Sequence, residues 1–438
     1  MIELSGEQKE AIRQIASWFK NPFRTNNTFK LAGPAGSGKS SIAFEAIRSL
    51  GLSFSDVAIV APTGKAAYVL IQKGNKSVST IHSLIYITLK NIDTEIENLA
   101  VRINQEKEML EEGQSDSHIL ALEEELLSLK THKNSSVNNK KFLFKLKPAL
   151  LINYKLILAD EGSMIDAKVK TDLESFNIPI LYLGDPFQLP PVTRVANEDS
   201  VFFDNAGKLL PVDFMLTEVH RQTLESPILA TATKVRLDKS YIIPRGINRS
   251  KVNPEEFFAR TSIDKLTDKQ LELFDQIICG SNKTRISINK YMREVKGFTN
   301  PLPQKGDKII FTMNSKKFNV VNGTQGVVEN EFSQKRLEPN IIYCDIRLDD
   351  GSLLEEAPLI IPSLLNDERS METLPNYFYE EFLKAEYGYA ITCHKSQGSQ
   401  YRTGLIILEP IGNTSELKRR WTYTALTRFT EKVVVVDP

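Results

Sequence analysis

The chain has 438 residues, with 55 Lys or Arg balanced by 55 Asp or Glu, so its formal net charge is zero. That balance excludes polyanion binding through global basicity: any nucleic-acid site has to be a local cluster on a neutral background. A hydrophobic content of 41% supports large cores, and the length suits about two to four domains. No apolar run approaches a membrane span. Cys279, Cys344 and Cys393 match no disulfide or metal-ligand spacing, which fits a reducing cytosol. The first residues, Met1 to Gln8, read as a polar helix start rather than a signal peptide.

In chain order, residues 7–19 have the spacing of an amphipathic helix with Ala11, Ile12, Ile15 and Phe19 on one face. A short apolar run, Phe29 to Ala32, then enters Gly33-Pro34-Ala35-Gly36-Ser37-Gly38-Lys39-Ser40, and a helical pattern runs from Ser41 to Leu50. This is a complete phosphate-binding loop in its strand-loop-helix setting. Glycines let backbone wrap a phosphate without a Cβ clash, and the loop N–H groups and helix N-terminus aim partial positive charge at the anion. Lys39 would reach the β- and γ-phosphates and Ser40 would sit on Mg²⁺. A nucleoside triphosphate is therefore the expected ligand.

Asp56 to Ala61 predicts a buried strand ending at Pro62-Thr63-Gly64, with a helix from Lys65. Residues 91–145 are densely charged, with Ile92, Ile96, Leu99 and Ile103 in one helical run and Ile119, Leu122, Leu126 and Leu129 in another, split by Gly113 to Ser117. They predict a protruding helical hairpin; a disordered charged linker is the alternative. Lys155 to Ala159 and Ile178 to Leu183 are apolar strands that run into Asp160-Glu161 and Gly184-Asp185. Helices alternating with continuous apolar strands predict a parallel sheet covered on both faces, whose ligands sit outside the carboxyl ends of the strands. The pattern returns at 276–279, 404–408 and 432–436 without a phosphate loop, predicting a second α/β core. Residues 305–360 are β-rich with an Asn322-Gly323 turn and suggest a small barrel.

Asp160, at the end of its strand, is placed to hold Mg²⁺ through its shell, and Glu161 beside it to orient and deprotonate an attacking water. Gln188, in Gly184-Asp-Pro-Phe-Gln188-Leu-Pro-Pro191, is placed to touch a γ-phosphate or its water; a proline-stiffened loop is the alternative. Arg221 and Arg428 are candidates for charges delivered across a cleft.

Taken together, these segments resemble a superfamily-1 helicase of the 5′-to-3′ branch that contains RecD and the phage Dda enzyme. Leu4 to Gln8 resembles the leading glutamine motif and 33–40 motif I. Ala61 to Ala67 resembles motif Ia, Ser79 to Leu84 motif Ib, and Asp160 to Met164 motif II. Leu183 to Val192 resembles motif III, Glu218 to Gln222 motif IV, and Ser281 to Arg285 the motif that follows. Ala390 to Ser399 resembles motif V and Tyr423 to Arg428 motif VI. The resemblance covers nearly the whole chain apart from 91–145, 239–270 and 362–380.

The resemblance implies an α/β fold of two RecA-like parallel-sheet cores, with a helical-hairpin insertion in the first and a small β-barrel insertion in the second. The first core would comprise 1–84 and 146–222, the helical insertion 85–145, the second core 223–304 and 377–438, and the barrel with its connection 305–376. It implies an ATP-dependent DNA helicase using ATP and Mg²⁺. Lys39, Asp160, Glu161, Gln188, Arg221 and Arg428 would be catalytic. Gln8 would read adenine, residues Gly33, Pro34, Ala35, Gly36, Ser37, Gly38, Lys39, Ser40 and Ser41, with Gly398, would hold nucleotide, and Ser40 and Asp160 would hold the metal. Pro62, Thr63, Thr80, His82, Asn282, Thr392, His394, Lys395 and Ser396 would grip the strand backbone, hydroxyls and cations being suited to phosphates without reading sequence.

Implied partners are single-stranded DNA and tailed duplex, met by a monomer in the cytoplasm of a bacterial or phage-infected cell. The work would be replication, repair or recombination, with a single-strand-binding or replisome protein contacting the 91–145 arm. A translocase that strips proteins without strong unwinding is the alternative; a phosphotransferase, suggested by motif I alone, leaves motifs V and VI unexplained. Two departures stand out. Gly162 follows Asp-Glu where a larger residue is usual and is expected to loosen that turn, and the 91–145 insert is long and helical where relatives place a short strand-separating hairpin.

Overall fold

The structure is a computed structural model. It describes residues 4–72, 78–89, 143–147, 152–191, 198–218, 226–315, 317–374 and 378–437, with isolated positions between 96 and 127. Helix α1 (Gly6–Lys20) starts at a reciprocal cap: the Ser5 hydroxyl accepts from the Gln8 N–H, and the Gln8 side chain accepts from the Ser5 N–H. Its Ala11 and Ile15 are fully buried. The first core then builds from β1 (Thr28–Ala32), α2 (Lys39–Ser49), β2 (Val57–Ala61), α3 (Gly64–Gln72) and β3 (Val78–Thr80).

A separate compact unit spans His82–Ile152. In it β4 (Tyr86–Leu89) pairs antiparallel with β5 (Leu143–Leu146). The described positions 96, 99–101, 103, 104, 107, 119, 122, 123, 126 and 127 are helical. Ile103, Ile119 and Leu122 are buried together with Leu99 and Leu126 against them, and Lys107 pairs with Glu123 at 2.5 Å. The predicted apolar positions of the two runs thus meet on one seam, as helices packed side by side require. Ile92, Leu129 and the Gly113–Ser117 break lie outside the described residues.

The first core resumes with β6 (Leu156–Ala159), α4 (Ala167–Glu174), β7 (Ile180–Gly184) and β8 (Phe214–Met215). Strand order is β3-β2-β6-β7-β1-β8, every pair parallel. The register Ala32↔Gly184 and Val60↔Ala159 brings Gly33, Thr63, Asp160 and Asp185 to one edge of the sheet. Crossovers carry α-helices over both faces, so β2, β6 and β7 are buried at every residue, which is why they read as unbroken apolar runs.

The second core follows: α5 (Pro227–Leu237), β9 (Gly246–Arg249), β10 (Phe257–Ser262), β11 (Gln276–Cys279) and α6 (Asn282–Val295). A five-stranded antiparallel sheet interrupts it, formed by β12 (Lys308–Phe311), β13 (Gln325–Val328), β14 (Ile341–Leu348), β15 (Leu353–Ile360) and β16 (Ala385–Tyr387) in the order β15-β14-β13-β12-β16. The core closes with β17 (Ala390–Thr392), β18 (Tyr401–Ile407), α7 (Ser415–Leu426) and β19 (Phe429–Asp437), in the sheet order β17-β11-β18-β19-β10-β9, parallel except for β9. Where the antiparallel sheet roots into this core, Asp307 is completely buried. It accepts from Arg293, which also donates to the Asn300 and Leu302 carbonyls, and from the Tyr389 hydroxyl. All three cysteines are free and buried, and burial pushes each thiol up to about 12, leaving them inert.

Candidate functional site

The phosphate loop needs its glycines. Gly36 and Gly38 both sit at φ +81°, in the left-handed region, and Gly38 opens α2. Lys39 Nζ donates to the Gly33 and Pro34 carbonyls at 2.8 and 2.9 Å, so its ammonium lies folded over the loop. Ser40 Oγ is 3.3 Å from Asp160 Oδ2, which brings motifs I and II together across 120 residues of sequence. A hydroxyl and a carboxylate converging beside phosphate-directed backbone are the donor set a hard cation such as Mg²⁺ prefers. Among the described residues no three His, Cys, Asp or Glu side chains converge on a metal site. Ser41 is exposed on the first turn of α2. Gln8 is buried; its amide donates to the Ser37 carbonyl at 3.3 Å, tying α1 to the loop. The neighbouring Glu7 carboxylate accepts from the Thr217 hydroxyl and from the Thr217 and Glu218 N–H groups, holding the chain that leads to Arg221. Arg221 itself lies outside the described residues.

Glu161 is strained. Its φ is +53°, unusual for a residue with a side chain, and conformations of this kind cost about 1–3 kcal/mol. Burial pushes its carboxyl up, the Asp160 carboxylate adds to this, and Arg428 and Lys39 oppose it. A carboxylate whose proton affinity is raised is a stronger base toward water. The expectation that Gly162 loosens this turn is corrected by its surroundings. A Cβ at Gly162 would stand 2.8 Å from the Phe202 ring and 3.0 Å from the Leu183 carbonyl, so the turn is tight and glycine is what lets it close. Gly162→Ala is therefore expected to cost about 1–3 kcal/mol of stability and to lower ATP turnover by displacing Glu161. Thermal unfolding and steady-state ATPase check this, and an unchanged melting temperature would contradict the crowding.

Gln188 is 4% exposed, and its Oε1 has no hydrogen-bond partner among the described residues. A buried amide oxygen left unpaired is costly, which fits an atom reserved for a water or ligand. Its loop is held from the second core: the Leu189 N–H donates to Thr424 Oγ1 at 2.9 Å, and the Gln397 amide donates to the Leu189 carbonyl at 3.2 Å. Arg428, 4% exposed, donates to the Thr424 and Ser399 carbonyls and to Thr427 Oγ1, and its charge acts on Glu161. The carboxyl edge of the first sheet therefore faces α7 and the amino ends of β18 and β19.

The predicted strand-gripping residues fall into two kinds. Pro62 and Thr63 are half-buried at the end of β2, where Thr63 Oγ1 accepts from the Ala66 N–H. Thr80 ends β3 half-buried and His82 is exposed, its ring 5.2 Å from that of Tyr86. Asn282 is exposed at the start of α6, behind the Ser281 cap. Gly398, at φ +75°, lies against Thr63 and Ala66, so motif V touches motif Ia there. His394 is half-buried, and burial lowers its pKa, keeping the imidazole neutral. Lys395 is exposed.

Thr392 and Ser396 are different: both are buried and turned inward. Thr392 Oγ1 caps the Lys395 N–H and Ser396 Oγ donates to the Cys393 carbonyl at 2.7 Å, so these hydroxyls build the turn that presents His394 and Lys395. Sequence reading missed Glu386, which accepts from Lys395 Nζ at 2.9 Å and also pairs with Arg285, itself bonded to Asn282. No motif marks Glu386; it comes from the β16 strand of the inserted sheet.

Residues 18–194 match the family described as an AAA domain, and residues 387–436 match the UvrD-like helicase C-terminal domain. The ATP-dependent DNA helicase Pif1 of Campylobacter jejuni is 26% identical over 66% of this chain and 70% of its own length. The ATP-dependent RecD2 DNA helicase of Deinococcus radiodurans is 23% identical over 98% of this chain, which spans about half (48%) of that relative. A Pif1 helicase solved in a study of unwinding at forked duplex DNA shares the fold, with a TM-score of 0.51 at 19% identity over 99% of this chain and 92% of that one. The chain thus matches an AAA domain followed by a UvrD-like helicase C-terminal domain, on motifs that run in the order the sequence suggested, and it is similar to the Pif1 and RecD2 helicases.

Proposed function

We propose that the chain is an ATP-driven DNA helicase that moves 5′ to 3′ along a single strand and opens duplex ahead of it, working as a monomer in the cytoplasm of a bacterial or phage-infected cell. The observation that carries the reading is the joining of the two cores at motif III, where Thr424 and Gln397 hold the same Leu189 whose loop presents Gln188. ATP would lie on residues 33–41, near Gln8, with Lys39 on its outer phosphates. Ser40 and Asp160 would hold Mg²⁺, which neutralises charge on the phosphates. Glu161 takes the proton as water oxygen bonds to the γ-phosphorus and the bond to the β-γ bridging oxygen breaks. Gln188 positions that water, and Arg428, with Arg221, stabilises the departing charge. Loss of the γ-phosphate then changes the hold of the second core on the first. The shift is passed along Gln397 to the His394–Lys395 turn and, through Gly398, to Thr63. Pro62, Thr63, Thr80, His82, Asn282, His394 and Lys395 would contact the strand, with Thr392 and Ser396 shaping one of their turns.

The test is ATP turnover with and without single-stranded DNA, together with unwinding of 5′-tailed and 3′-tailed duplexes. Stimulation by DNA and opening of the 5′-tailed duplex alone are expected. Opening of only the 3′-tailed duplex would reverse the polarity, and turnover indifferent to DNA would remove the motor.

A further inference from the structure

We infer that Tyr423 is a positioning residue that transmits the state of the phosphate loop to motif III, and so couples ATP turnover to the bound strand. The inference rests on the helicase reading above. Tyr423 is 3% exposed, on the last turns of α7 in the second core. Its hydroxyl reaches into the first core and makes two bonds there. It accepts from the Ala35 N–H of the phosphate loop at 2.9 Å and donates to Asp185 Oδ2 at 2.8 Å.

The direction of both bonds is set. Burial and the adjacent Asp185 carboxylate raise the phenol well above its ordinary value, so it stays protonated and its one proton goes to Asp185. Its lone pair is then what the Ala35 N–H sees. Asp185 in turn organises the loop that carries Gln188: Oδ1 accepts from the Phe187 N–H at 3.0 Å, and the Asp185 carbonyl accepts from the Gln188 N–H at 3.1 Å. A change in the path of residues 33–38 moves the Ala35 N–H, and with it the partner that orients Asp185 and Gln188. The next residue, Thr424, holds Leu189, which Gln397 of motif V also holds. The Tyr423 hydroxyl thus links the loop that would grip phosphate to the amide placed to meet the attacking water, and the adjacent Thr424 extends that link to the segment that presents His394 and Lys395. A residue present only for packing would need the ring, which meets the Phe187 ring edge-on at 6.3 Å, and not the hydroxyl.

Tyr423→Phe keeps the ring and removes only the oxygen. In the full chain with saturating single-stranded oligo-dT, DNA-stimulated kcat is expected to fall about tenfold, the size of effect expected from losing a hydrogen bond to a charged group at a positioning site. The KM for ATP should stay within about twofold, because the Lys39 and Ser40 contacts are untouched, while DNA-independent turnover, which also uses Gln188, should fall by less than the stimulated turnover. Asp185→Asn should give a similar loss, and the double variant should be no worse than either single, as members of one chain of bonds are non-additive. Active-site concentration is fixed by stoichiometric binding of a non-hydrolysable ATP analogue, so partial unfolding does not mimic the result. Stimulated turnover within twofold of the parent, an equal fall with and without DNA, or losses that multiply in the double variant would each overturn the inference. A parent protein that shows no stimulation by DNA would instead overturn the helicase reading.

Discussion

Replacing Glu161 with Gln is expected to lower ATP turnover by about 10² to 10⁴-fold, the range carried by a positioned general base, while raising the melting temperature of the nucleotide-free protein. The two effects have one origin. The Glu161 carboxyl is pushed above its ordinary value near 4.5 by burial and by Asp160, so the folded chain holds on to a proton that the unfolded chain releases. Stability is therefore undiminished below that ordinary value and is lost as pH rises through the raised one. A neutral amide of the same shape avoids that loss. The melting-temperature gap between variant and parent should open as pH rises above the ordinary value near 4.5 and close in acid. The parent's turnover should climb with pH over the same interval, since the base works only when ionised. Unfolding scans across pH, with kcat measured in parallel, check both arms. A variant less stable than the parent at pH 8 would show that the carboxylate is held by partners rather than strained against Asp160.

Arg428→Lys is expected to lower turnover by about 10³-fold or more, the scale on which an arginine stabilises charge in phosphoryl transfer. Lysine keeps the charge but not the fork. Arg428 spreads three nitrogens over the Thr424 carbonyl, the Ser399 carbonyl and Thr427 Oγ1, and one ammonium cannot occupy those three directions. The charge that acts on Glu161 is retained, so the pH at which any remaining turnover rises should stay close to that of the parent. Equilibrium binding of a non-hydrolysable ATP analogue should survive while kcat falls at saturating ATP and DNA. A loss confined to binding would make Arg428 a ground-state contact.

The local elements were legible because their physics is local. The phosphate loop is written in eight consecutive residues, and the buried parallel strands announce themselves as apolar runs since both of their faces are covered. The seam of Ile103, Ile119 and Leu122 follows from helical spacing alone. Other features could not be read in this way. The crowding at Gly162 comes from Phe202, forty residues on, which nothing in the Asp-Glu-Gly-Ser string announces. Glu386 lies in a strand of the inserted sheet with no motif around it, yet it is the counter-ion of Lys395. Thr392 and Ser396 carry hydroxyls of the right type for phosphate contact, but residue type does not say which way a hydroxyl points, and both cap their own turn.

The amino-acid order alone determined the chemistry of this protein: a triphosphate loop, an acidic pair after a strand, and the succession of helicase motifs. Those are contiguous patterns, each selected by backbone geometry or charge within a few residues. Only the tertiary structure decided how they work on one another. Ser40 meets Asp160 and Ala35 meets Tyr423 because strand register and the stacking of one core on the other bring together groups 120 and 388 residues apart. Such pairings depend on the packing of whole sheets and helices, which no short window of sequence contains.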